Sequence, residues 1–130
     1  MLLPAERTIV LNRAESARND LPLRRHRFTI AHEIGHWVCH CLEGRAAQLE
    51  PSYCRATDIA NDVDRAIERE ANIFASELLM PEEAVRAAWA EIGDKSNEDP
   101  AIAVAARLDV SPAAMGWRLF NLGLVEERPA

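Results

Sequence analysis

His32-Glu33-Ile34-Gly35-His36 reads H-E-x-x-H, and the fold question turns on it. On a helix, residues four apart share a face and lie about 6 Å apart along the axis, so both imidazoles can reach one metal ion. A glutamate beside them is placed to serve as general base. Two histidines leave such a site short of a ligand; a third donor must come from elsewhere, with one position open for water. Working outward, Ile30, Ile34, Trp37, Val38 and Cys41 recur at helical spacing and predict a helix over about residues 23–42, with that stripe buried in the core. At roughly 100° per residue the histidines fall nearly opposite the stripe, facing a cleft. Asp20 and Pro22 are start signals for this helix, and Gly44 is a stop.

Upstream, Arg7 to Leu11 is a strand candidate, and residues 12–21 are polar and loop-like. Gln48 to Cys54 reads either as a short strand interrupted at Pro51 or as a loop. Downstream, Val63, Ile67, Ala71, Phe74 and Leu78 mark the core stripe of a second long helix over about 62–80. Pro81, Glu82 and Glu83 open a third, because proline and acidic side chains suit a first turn. Asp99-Pro100 and Ser111-Pro112 repeat the cap-and-proline signal and predict helices near 100–108 and 112–122, with Gly123 as the final stop. The expectation is a largely helical chain with a few strands in its N-terminal half.

The second helix can supply the missing ligand. Glu68 and Asn72 are four apart and share a face with Ala75 and Leu79, where small residues would admit another backbone closely. A carboxylate from this position could complete a His₂Glu site. Asn72 could hold a ligating histidine in its tautomer from behind. The alternative for Glu68 and Glu70 is solvated charge on an amphipathic helix.

Composition narrows the classes. The 130 residues suit one domain, and 48% hydrophobic with 28% charged content is that of an ordinary globular chain. A net charge of −6 and a pI near 5.2 argue against nucleic acid as a main partner. No stretch approaches a membrane span, and the first ten residues, MLLPAERTIV, lack the basic and apolar regions of a signal peptide. Cys39, Cys41 and Cys54 are odd in number and are read as reduced thiols of a cytoplasmic protein.

Phe28-Thr29-Ile30-Ala31-His32-Glu33-Ile34-Gly35-His36, followed by Glu68-x-x-Ala71-Asn72-x-Phe74-Ala75-x-x-Leu78-Leu79-Met80-Pro81, resembles the ImmA/IrrE family of zincin-like metallopeptidases. The tail Ala105-Ala106-Arg107-Leu108-Asp109-Val110-Ser111 with Arg118-Leu119-Phe120-Asn121-Leu122-Gly123-Leu124 is similar to that family's C-terminal helices. The resemblance spans about residues 7–125. It implies an α+β fold: a small zincin-like metallopeptidase domain over 1–130, mostly helical, with a short N-terminal β-sheet and two active-site helices. The C-terminal helices, about 100–122, belong to the same domain in this reading.

The resemblance also implies a zinc-dependent, site-specific peptidase that cleaves a repressor-type protein, with a helix-turn-helix repressor as the expected partner. His32, His36 and Glu68 are then the metal ligands, with Glu33 as catalytic base and Asn72 behind them. Glu70 is the fallback third ligand. Asn72 stands where many gluzincin-type enzymes carry aspartate, and a neutral amide supports imidazole charge less firmly. Zn²⁺ is the expected ion, with Mn²⁺ also compatible with these ligand types.

Other residues have lesser expected roles. His40 lies about 12 Å along the axis from His32, too far for three histidines to share an ion. Tyr53 and His26 are candidates for steadying an oxyanion. Cys39 is read as a buried, inert thiol and Arg24-Arg25-His26-Arg27 as a solvated helix start. Two rival functions stand beside the peptidase: a metal-binding interaction module without turnover, and a helix-turn-helix regulator built on residues 100–122. The second is disfavoured because PAAMGWRLFNL offers only Arg118 and Asn121 as base-reading groups.

Overall fold

The computed structural model describes residues 2–11, 22–41, 62–92 and 97–129. Asp20, Gly44, the 48–54 segment and Tyr53 lie outside these residues. Helix α1, Pro22–His36, widens after His36 into a π-helical turn, Trp37–Cys41. It packs along α2, Asp62–Leu79. The contact is made by small residues: Ala31, Gly35, Ala71 and Ala75 are all buried. A Cβ on Gly35 would stand 3.0 Å from the Ala71 carbonyl oxygen, 3.1 Å from Ala71 Cα and 3.1 Å from Phe74 Cβ. Only glycine allows the two helices this approach.

On the other side of α1, Leu2–Leu3 (β1) and Thr8–Ile9 (β2) pair antiparallel, Leu2 opposite Ile9 and Leu3 opposite Thr8. A 3-10 turn at Pro4–Glu6 and Arg7 at φ 50° connect them. Leu2, Arg7 and Ile9 face Ile34 and Trp37 across a hollow. The strand expected over 7–11 is thus shorter, and its partner is the chain's first residues, whose two-residue run is too short to carry a periodic signal.

Helices α3, Glu82–Ile92, α4, Pro100–Leu108, and α5, Pro112–Asn121, complete the described chain. Asp99 and Ser111 cap α4 and α5 by accepting from Ala101 N and Ala114 N, with proline in each first turn. Gly123, at φ 72°, turns the chain after α5 so that Leu124 N donates to Leu119 O. The main apolar cluster lies here: Met80, Val85, Ala88, Val104, Ala105, Val110, Met115 and Leu119, with Phe28 of α1 and Leu79 of α2 packed against it. The whole is a small, mostly helical α+β arrangement.

Three expectations need correction. The stripe expected to face the core from α1 does not: Ile30 and Ile34 are half-buried and Val38 is exposed, while Ala31, Glu33, Gly35, His36 and His40 are buried. The histidine face is therefore the packed one, which hydrogen bonding to the polar groups permits. On α2, Ala71 is buried as expected, but Leu78 is exposed, and the other buried position among the described side chains is Ala75. The basic run is not simply solvated. Arg24 Nε lies 3.1 Å from Asp109 Oδ1, and Arg27 donates to the Leu108 and Asp109 carbonyls at the C-terminus of α4. Unsatisfied carbonyls and the negative end of the helix dipole attract a cation there.

Gly35→Val is expected to lower stability by about 1–3 kcal/mol, the usual cost of overpacking. Gly35→Ala should lose less, because better helix propensity returns up to about 1 kcal/mol. Urea unfolding midpoints of the two variants test this; equal or higher midpoints than the parent would show that α1 and α2 can part freely.

Candidate metal centre

Three lone-pair donors from α1 and α2 converge. His32 Nε2 is 3.0 Å from Glu68 Oε2, His36 Nε2 is 2.9 Å from Glu68 Oε1, and the two Nε2 atoms are 3.0 Å apart. All three side chains are largely withdrawn from solvent, His36 most completely. Atoms of this kind repel unless something positive lies among them. In the absence of a metal that positive charge must be a proton. A tetrahedral ion with bonds near 2.0–2.1 Å keeps its ligands about 3.3 Å apart, close to the separations found. Two imidazoles and a carboxylate are also a common donor set for a catalytic zinc site, and the group fits one.

Each sequence-identified residue can now be located. Glu33 lies between the two histidines in the chain and is buried. Asn72 sits one turn beyond Glu68, and its Oδ1 is 2.8 Å from His32 Nδ1. That contact fixes a proton on Nδ1 and leaves Nε2 to face the other donors. Glu70 does not join the group; its Oε2 is 2.9 Å from His40 Nε2, and His40 Nδ1 is 3.2 Å from His36 Nδ1. The geometry thus separates the two glutamates. It also gives His40, which as a direct ligand had no place, two specific partners. Cys39 is half-buried, not buried, beside Glu70, Ile73, Phe74 and Glu77.

An open cleft of about 820 Å³ runs past Glu68 and Asn72 to α5. Phe28, Ile73 and Trp117 give it apolar walls, and Arg25, Arg65 and Arg69 line it with positive charge. Of the two base-reading candidates, Arg118 is turned inward. Its Nε donates to Met80 O at 2.9 Å, and Met115 and Leu119 of the same helix are core. The inner faces of α4 and α5 pack into the core, and Arg118 is tied to it.

Compared with known proteins, the chain matches no curated sequence and no solved structure. Its residues 6–120 match the model of one domain family, the IrrE N-terminal-like domain, which is a family of peptidases.

Without metal, His32 is shifted above its ordinary pKa of 6.5. Burial pulls it down, but the Glu68 hydrogen bond and charge, the Glu33 charge and the Asn72 hydrogen bond together outweigh burial. A raised folded-state value means stability that is complete below about pH 6.5 and lost as pH rises through the higher value. The thermal midpoint of the metal-free protein is expected to fall over that window. His32→Gln should remove that part of the slope, and an unaltered slope would show that His32 does not carry it.

Proposed function

The chain belongs to the family of IrrE N-terminal-like peptidase domains, and from that premise we propose that it is a metal-dependent peptidase of the H-E-x-x-H type. The single observation that carries the reading is the convergence of His32 Nε2, His36 Nε2 and Glu68 within hydrogen-bond distance of one another, with Glu33 buried on the same helix. These three would hold a divalent ion, with zinc expected and manganese compatible. When bound, the ion acidifies water and polarises the scissile carbonyl.

The remaining work falls to the chain. Glu33 takes a proton from the attacking water at its carboxylate and passes it to the leaving amine nitrogen as the C–N bond breaks and the water oxygen joins the carbonyl carbon. Asn72 keeps the His32 ring in one orientation. The cleft beside Glu68, with Phe28, Ile73 and Trp117 on its walls, accommodates an extended peptide segment. The substrate in this reading is a regulatory protein of the repressor type, and the site of action is the cytoplasm. Support for the substrate class is the family resemblance of the motifs. His32, Glu33, His36 and an acidic third ligand are all present, which favours a working peptidase over a module that only binds.

Glu33→Gln is expected to retain one equivalent of metal while lowering hydrolysis by about 10²–10⁴-fold, the range of a lost general base. The assay is metal-dependent cleavage of a helix-turn-helix repressor encoded beside this gene, followed by mass spectrometry. A zinc-loaded parent protein that leaves every such repressor intact would overturn the substrate reading. Hydrolysis undiminished in Glu33→Gln would overturn the mechanism.

A further inference from the structure

Two buried or half-buried groups behind the site play no part in the mechanism above. His40, on the π-helical turn, is 2% exposed. Glu70, on α2, is about half exposed and reaches His40 from outside. The contacts form a line: Glu70 Oε2 to His40 Nε2 at 2.9 Å, His40 Nδ1 to His36 Nδ1 at 3.2 Å, and His36 Nε2 into the donor group.

We propose that Glu70 and His40 form a positioning relay that sets the tautomer and ring orientation of His36 for metal binding; the proposal rests on the metal-peptidase reading above. The logic is one of donors and acceptors. A carboxylate only accepts, so the proton between Glu70 and His40 sits on His40 Nε2. An imidazole with its proton on Nε2 has a bare Nδ1. His40 Nδ1 therefore accepts from His36, whose proton is held on Nδ1. His36 Nε2 is left with its lone pair directed at Glu68 and His32, the state a metal ligand needs. A carboxylate at the protein surface thus reaches a ligand in the interior through one intervening ring.

The arrangement answers a weakness in the chain. His32 is backed by the neutral amide of Asn72, which orients a ring but brings no charge. The negative charge that Asn72 lacks is supplied at Glu70, two residues earlier, and serves the other histidine. The two ligands are therefore supported unequally: His32 directly by an amide, His36 through His40 by a carboxylate.

The test is Zn²⁺ affinity by chelator competition on the full chain, combined with ¹⁵N histidine NMR of the zinc-loaded protein. His40→Ala and Glu70→Ala are expected to weaken Zn²⁺ binding about 10–100-fold, the usual effect of removing a group that orients a ligand. Glu70→Gln, which keeps an accepting oxygen, should recover part of that loss. Because Glu70 is half exposed, its variants are expected to fold even where the buried His40→Ala does not. In the parent protein His40 should show a protonated Nε2 and a bare Nδ1, with a through-hydrogen-bond nitrogen–nitrogen coupling to His36. A His40 protonated on Nδ1, or Glu70→Ala binding Zn²⁺ as tightly as the parent, would overturn the relay while leaving the metal site standing. A parent protein that binds no Zn²⁺ would instead remove the reading beneath it, and the relay with it.

Discussion

The close approach of α1 to α2 is the constraint on which the rest depends. Imidazole and carboxylate side chains are short, and three of them meet within 3.0 Å only if their backbones run near one another. Gly35 against Ala71, with Ala31 and Ala75 also buried, provides that spacing. Such residues bury little apolar area, so this contact gains less from the hydrophobic effect than a leucine-lined one would. Hydrogen bonds among His32, His36, His40, Asn72, Glu68 and Glu70 occupy the same interface.

Cohesion comes from elsewhere in the molecule. The apolar cluster is built mainly from α3, α4 and α5, and both site helices pack against it. Phe28 reaches it from α1, and Leu79 and Met80 reach it from the end of α2. Polar ties add direction: Arg24 and Arg27 hold the end of α4 through Asp109 and neighbouring carbonyls, and Arg118 holds Met80 O. Exposed ion pairs such as Arg24–Asp109 are worth about 0–1 kcal/mol each, so their effect is on alignment more than on stability. A division of this kind lets one half of the fold carry stability while the other spends its interior on polar groups.

Much of this was legible residue by residue. Where a signal is local, sequence reads it well: Asp99 and Ser111 cap the helices they announce, the prolines sit in first turns, and Gly123 turns the chain at positive φ. H-E-x-x-H and the E-x-x-A-N helix led to the family, and the match over residues 6–120 shows it. Periodicity misjudged which face of α1 is packed, because it counts large apolar residues. Alanine, glycine and hydrogen-bonded histidine are invisible to that count, yet they form the interface.

The sequence by itself determined the helices, the caps of the last two, the donor types and the family, since each is carried by short local motifs. Only the tertiary structure decided which partners those donors meet. Glu68 and Glu70 differ by two positions, about 200° around a helix, so one faces His32 and His36 while the other faces His40. The contact made by His40 was hidden for the same reason: its partner Glu70 lies thirty residues away on another helix. Propensity and spacing describe one strand of chain at a time, whereas a site is made where two strands of chain approach.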